Sequence, residues 1–171
     1  FCVSGCPQAP SPDGRSSPHP TDNEDPALAK STEHLSAGAW FEDVTSATGI
    51  DFTYRNGQEA EAYTLLETVG GGVAMVDFDC DDDVDLFFTG GGRIELSPYR
   101  VSGLACCLYL NRGSFRFRDV SGVSLPPEIP DYSHGCTVSD FDGDGWPDLL
   151  VTCFGRCQLL RNAGDGAFDD F

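Results

Sequence analysis

The chain has 171 residues, which is enough for one domain or for a domain with a tail. Its formal net charge of -18 at pH 7 disfavours nucleic acids and anionic membrane surfaces as partners. Hydrophobic residues make up 40% of the sequence, and 20 Gly with 11 Pro indicate many turns and therefore β-structure. No run of 18 apolar residues is present, so we expect no transmembrane helix.

The first 38 residues predict an export signal remnant followed by a tether. Val3-Ser4-Gly5-Cys6 has the form of a bacterial lipobox, in which Cys6 becomes lipidated; an ordinary cysteine is the alternative. We assign residues 1–6 to this remnant, and we expect a processed or incomplete chain because it starts with Phe1. Residues 7–38, rich in Pro, Ser and Asp, predict a disordered tether, and residues 39–171 form a repeat region.

Eight cysteines in an acidic, turn-rich chain fit an oxidising compartment. Their spacing does not form a paired C-x2-C zinc pattern. We therefore expect disulfides, with buried free thiols as the alternative. The sequence leaves the connectivity open.

Two acidic loops of the same design are the main chemical signal. Loop one is residues 77–85 and loop two is residues 140–148, and each has carboxylates at positions 1, 3, 5 and 9. Two unit charges ~4 Å apart repel by roughly 4 kcal/mol near a protein surface, so the loops predict a bound cation. Ligands that are all oxygen favour calcium at about two sites. The side-chain ligands would be Asp77, Asp79, Asp81, Asp85, Asp140, Asp142, Asp144 and Asp148.

Short runs of β-forming residues surround each loop in the same order. Four strands per unit of roughly 50 to 60 residues is typical of a β-propeller blade. We predict an all-β partial β-propeller of about two four-stranded blades, plus an incoming strand segment at Phe41 to Tyr54. The first unit carries about 12 extra residues around Gly90 to Gly103, judged by the spacing of repeated motifs. Because propellers usually need about 4 to 8 blades, we expect the protein to continue beyond Phe171.

Helical calcium modules are the main alternative for the loops. An EF-hand needs an acidic residue at position 12 and a following helix. Position 12 is Phe88 after loop one and Val151 after loop two, and both lie in strand-like runs. A solvated acidic turn without an ion is the other alternative.

The repeat resembles that of FG-GAP/VCBS proteins, the integrin-α-like propellers. The resemblance rests on the acidic loops followed by DLFFTGG or DLLVT, then LYLNRG or LLRNAGDGAF. The opening FEDVTSATGIDFTYRNG, followed by LLETVGGGVAMVDFD, is similar to bacterial proteins that join this propeller to an ASPIC/UnbV domain. Cartilage acidic protein belongs to that group. The resemblance covers Phe41 to Phe171 and identifies the chain as an N-terminal fragment of such a protein.

The resemblance implies further calcium ligands and one departure from the family pattern. It implies coordination by the side chains at positions 1, 3, 5 and 9 and by the backbone carbonyl of position 7, which is Asp83 or Trp146. Position 6 is usually Gly because the turn needs a left-handed backbone. Loop two has Gly145 there, whereas loop one has Asp82, so we expect loop one to be strained.

No nucleophile motif, H-E-x-x-H motif or P-loop is present, so we expect no enzymatic activity in this chain. We expect an exported or surface-anchored calcium-binding module whose partner is an extracellular protein or a carbohydrate, with membrane contact only through a lipid anchor. The alternative is the non-catalytic N-terminal part of a propeller lyase or hydrolase. Several aromatic residues are expected in the core rather than in a ligand-binding stripe: Phe41, Phe52, Phe87, Phe115 and Phe117.

Overall fold

The computed structural model describes residues 41–127 and 130–171. The predicted lipidation at Cys6, the signal remnant at residues 1–6 and the tether at residues 7–38 lie outside the described residues. No helix in the described part of the chain has the length and apolar character needed to span a membrane.

Two four-stranded antiparallel sheets form the body of the fold, as predicted. The first sheet has the order β1-β2-β5-β6, and the second has the order β7-β8-β9-β10. Their strands are β1 Val73–Val76, β2 Asp85–Phe88, β5 Cys107–Asn111, β6 Phe117–Asp119, β7 Tyr132–Ser139, β8 Asp148–Phe154, β9 Gln158–Asn162 and β10 Phe168–Asp170. This all-β architecture of sequential antiparallel strands corresponds to two propeller blades.

The extra residues of the first unit form a separate hairpin. Strands β3 (Gly92–Leu96) and β4 (Tyr99–Gly103) pair only with each other and lie between β2 and β5 in the chain. The insertion therefore leaves the order of the first blade unchanged. Its position confirms the prediction of extra residues at Gly90 to Gly103.

The predicted strand at Phe41 to Tyr54 is wrong. That segment contains the short helix α1 (Thr45–Thr48), and its nearest β-contact is a single bridge between Arg55 and Gly91. The helix starts where Asp43 Oδ1 accepts the N–H of Thr45 at 2.9 Å. It ends at Gly49, whose φ of 83° is left-handed. Two 3₁₀ turns follow, at Gln58–Ala60 and Leu65–Thr68.

The same hydrogen bond, from a backbone N–H to an aspartate two residues earlier, is found after the first blade. The side chain of Asp119 accepts the N–H of Ser121 at 2.9 Å, and the short helix α2 (Ser121–Ser124) follows. The sequences around Asp43 and Asp119 are similar, and each aspartate lies two residues before a short helix.

The core lies between the two sheets. Leu108, Leu149 and Leu160 are fully buried there, and the rings of Phe78 and Phe168 stack at a centroid distance of 5.2 Å. The first strands of the two sheets, β1 and β7, approach closely at Gly72, the residue before β1, where an added Cβ would lie 2.7 Å from the Cα of Gly135. Burial of apolar side chains from both sheets therefore joins the two blades into one unit.

The predicted aromatic core is correct only in part. Phe87 is fully buried, but Phe41 is 94% exposed and Phe115 is 73% exposed. Phe41 precedes the first helix, and Phe115 lies in a turn with a φ of 55° rather than on a strand. Neither residue therefore faces the space between the sheets.

The cysteines differ from the disulfide-rich arrangement that we expected. Cys80 is disulfide-bonded, whereas five other described cysteines have free thiols: Cys106, Cys107, Cys136, Cys153 and Cys157. Cys106 and Cys153 belong to the core, and Cys136 packs against it. Buried cysteines of this kind pack as small apolar side chains.

We expect thiol alkylation of the native protein to be selective. Burial raises the pKa of Cys136 to about 11 and that of Cys153 to about 12, so few thiolates form there at pH 8. Cys157 is exposed and should react first with iodoacetamide. Peptide mass spectrometry after a short pulse measures this order, and urea-unfolded protein is the control in which all free thiols react. Fast native labelling of Cys153 would contradict the buried position.

We expect Tyr132→Phe to destabilise the fold by about 1–3 kcal/mol. The buried hydroxyl of Tyr132 lies 3.0 Å from the carbonyl oxygen of Leu66 and 3.2 Å from that of Asn56, and it accepts the hydroxyl hydrogen of Tyr54 at 3.3 Å. Its removal takes one hydrogen-bond partner from each of these groups, although the Leu66 carbonyl keeps the N–H of Val69 and the Tyr54 hydroxyl keeps the Ser133 carbonyl. Urea unfolding measures the loss. Tyr99→Phe is the matched control, because Tyr99 is 59% exposed. Equal effects of both substitutions would refute the anchoring role.

Candidate metal centre

Each acidic loop connects the first two strands of its blade. The pairs Val76–Asp85 and Ser139–Asp148 close the strands at the mouths of the loops. Each loop brings three carboxylates together, and one oxygen from each lies within 4.8 Å of the others. The two triads are Asp77, Asp79 and Asp85 in loop one, and Asp140, Asp142 and Asp148 in loop two.

The triads contain positions 1, 3 and 9 of the predicted ligand sets. Asp81 and Asp144, at position 5, lie outside the triads. Their side chains instead accept the N–H of Asp83 at 2.9 Å and the N–H of Trp146 at 2.9 Å. The carbonyl ligands expected at Asp83 and Trp146 stay predictions.

The first carboxylate of each loop organises the turn around itself. In loop one, Asp77 accepts the N–H groups of Asp81 at 3.0 Å and Asp82 at 3.2 Å. In loop two, Asp140 accepts the N–H groups of three residues, Gly143, Asp144 and Gly145. The backbone therefore wraps around the carboxylate of position 1 in both loops.

The ninth carboxylate joins each loop to its blade. Buried Asp85 accepts the N–H of Phe78 at 3.0 Å and the N–H of Asn111 at 2.7 Å. Buried Asp148 accepts the corresponding groups of Phe141 at 2.8 Å and Asn162 at 2.9 Å. Sequence reasoning missed the two asparagines, although both end the third strand of their unit.

Backbone conformation distinguishes the loops. Gly143 and Gly145 of loop two have φ values of 77° and 95°. The equivalent residues of loop one are Cys80 and Asp82, with φ values of 56° and 71°. A left-handed residue other than Gly costs of order 1–3 kcal/mol, and Asp bears it better than most residues. The strain predicted at Asp82 is therefore present, and Cys80 is a second departure that the sequence analysis missed.

Charge repulsion is visible in loop one. Desolvation raises the pKa of Asp79, and the charges of Asp81 and Asp77 raise it further. Desolvation also raises the pKa of Asp85 to about 6, against the opposing effect of its two backbone hydrogen bonds. Both raised pKa values mean that the folded loop disfavours the ionised forms of Asp79 and Asp85. A bound cation would favour those ionised forms.

A basic side chain contacts loop two. Arg161 of β9 donates through Nε to Asp142 Oδ2 at 2.5 Å and through Nη2 to Asp144 Oδ2 at 3.1 Å. Desolvation is the largest single influence on Asp142 and would raise its pKa, but the hydrogen bond and the charge of Arg161 help to give a net lowering. Sequence analysis could not find this contact, because the residues are 17 and 19 positions apart.

The donor sets fit a hard divalent cation. They consist of oxygen atoms alone, with three converging carboxylates in each loop. Position 12 excludes the EF-hand alternative, because Phe88 ends strand β2 and Val151 lies within strand β8. The loops thus combine an acidic ligand set with a strand on each side.

Two blades with an acidic loop between their first and second strands define a propeller-type repeat protein. A family model of FG-GAP-like repeats matches residues 77–151 and residues 140–171. The two matches together cover residues 77–171, more than half of the chain, and the chain belongs to the FG-GAP-like repeat family. No curated protein and no solved structure matches the chain.

We expect substitutions at position 6 to change the backbone strain of each loop, because Asp82 and Gly145 both have a left-handed backbone. Asp82→Gly should stabilise the metal-free protein by about 1 kcal/mol, and Gly145→Asp should destabilise it by at least as much. Urea unfolding in EDTA measures both changes. Asp82→Asn is the charge control, because it removes the carboxylate and keeps the side chain. If Asp82→Asn stabilises as much as Asp82→Gly, charge rather than backbone strain is the cause.

Proposed function

We propose that the protein is a calcium-binding β-propeller module in which calcium has a structural role. The observation that carries this proposal is the pair of converging carboxylate triads, each at the same place in its blade. A cation in each loop would join positions 1, 3 and 9 and hold the first two strands of the blade together. The raised pKa of Asp79 supports the proposal, since burial and its acidic neighbours disfavour its charge.

We further propose that the protein is exported and acts without catalysis as a binding module for an extracellular protein or a carbohydrate. The disulfide at Cys80 supports an oxidising compartment. The loop at residues 62–67 supports a binding role, because it presents large apolar side chains to solvent. Tyr63 is 90% exposed and Leu65 is 81% exposed. Glu67 fixes this loop by accepting the N–H groups of Ala62 and Thr64. The similarity to proteins with an ASPIC/UnbV domain suggests that such a domain is part of the full protein.

Calcium should raise the thermal stability of the protein and bind at both loops. We expect dissociation constants of ~10⁻⁴ to 10⁻³ M, the range of extracellular modules. At a calcium concentration 100 times the dissociation constant, one site adds about 2.7 kcal/mol to the free energy of unfolding. Scanning calorimetry in calcium and in EDTA measures the change in Tm, and isothermal titration calorimetry measures the affinity.

Two controls separate specific binding from general screening. Sodium chloride at matched ionic strength should give a much smaller increase in Tm, since screening alone does not bridge the carboxylates. The double variant Asp79→Asn with Asp142→Asn should lose most of the calcium effect, because each substitution removes one triad carboxylate. An unchanged Tm in calcium would refute the proposal.

A further inference from the structure

Arg161 places a cationic side chain against two of the carboxylates predicted to bind a metal ion in loop two. Its guanidinium bridges two carboxylates, with Nε 2.5 Å from Asp142 Oδ2 and Nη2 3.1 Å from Asp144 Oδ2. Asp142 belongs to the carboxylate triad, and Asp144 is the predicted ligand at position 5. One arginine therefore contacts two of the four side chains that would bind the ion.

The other oxygen atoms of these two carboxylates are also in use. Asp142 Oδ1 accepts the N–H of Asp144 at 3.1 Å, and Asp144 Oδ1 accepts the N–H of Trp146 at 2.9 Å. All four oxygens thus have a donor while Arg161 is in place. Backbone N–H donors leave a second lone pair on each oxygen for a cation, whereas the guanidinium carries a charge that opposes the ion.

Loop one has a different residue at the corresponding position. Asn111 and Asn162 occupy the same place in the two units, since each donates its N–H to the ninth carboxylate. The residue before Asn162 is Arg161, and the residue before Asn111 is Leu110, which is buried in the core. At this position, therefore, the second unit has a positively charged side chain and the first unit has an apolar one.

We propose that Arg161 is a built-in counter-ion of loop two that a divalent cation must displace. This inference rests on the proposed calcium function. The arginine makes loop two the weaker calcium site, and it makes the structure of loop two less dependent on the metal ion. Loop one, with Leu110 in place of the arginine, is the tighter site and the one whose folding depends more on calcium.

Calcium titration of Arg161→Gln tests the inference by calorimetry. The background variant Asp79→Asn removes a loop-one ligand, so the remaining heat reports loop two. In that background, Arg161→Gln should tighten calcium binding by about 3- to 5-fold, because a competing surface ion pair is worth up to about 1 kcal/mol. It should also lower the Tm in EDTA, so the increase in Tm with calcium becomes larger. Arg161→Lys keeps the positive charge and should leave the affinity within about twofold of the parent.

The matched control uses the opposite background. Asp142→Asn removes a loop-two ligand, and there Arg161→Gln should leave the affinity of loop one unchanged. Unchanged or weaker binding by loop two after Arg161→Gln would overturn the inference while leaving the proposed function intact. Absence of calcium binding in the unsubstituted protein would refute the proposed function, and this inference with it.

Discussion

The buried aspartate at position 9 of each loop is the contact on which the arrangement depends. Asp85 and Asp148 each accept one N–H from their own loop and one from the third strand of their blade. A buried carboxylate is costly unless it is paired or hydrogen-bonded. Two hydrogen bonds to each aspartate offset part of that cost and fix its carboxylate relative to the sheet. The positions of the other carboxylates follow from this fixed point.

The same network reaches from one blade to the other. The side chain of Asn162 donates to the carbonyl of Phe78 at 2.8 Å, across a sequence separation of 84 residues. The N–H of Phe78 donates in turn to Asp85, while the N–H of Asn162 donates to Asp148. Asn111, in contrast, donates its side-chain amide to Val84 within its own unit. The contact between the blades therefore joins loop one to the strand that anchors loop two, beside the stacked rings of Phe78 and Phe168.

The sequence predicted the features that depend on local patterns. Strands, loops and the inserted segment repeat in the chain, so residues such as Asp77 and Asp140 could be paired by spacing alone. The strand expected at Phe41 to Tyr54 failed because the hydrogen bond from the Thr45 N–H to Asp43 starts a helix that the apolar pattern does not reveal. Arg161 was missed for a different reason: its contacts depend on the register of β9 relative to loop two, which the sequence does not specify.

The two loops differ in ways that affect their need for an ion. Loop one has six aspartates and two left-handed residues that are not glycine, whereas loop two has four aspartates and glycine at both left-handed positions. Arg161 reduces the formal charge of loop two further, from -4 to -3. Both the backbone and the charge of loop one therefore oppose its folded form in the absence of a cation. The binding of a divalent cation to the carboxylates of loop one would act on both terms, because the ion neutralises part of the charge and holds the strained turn closed.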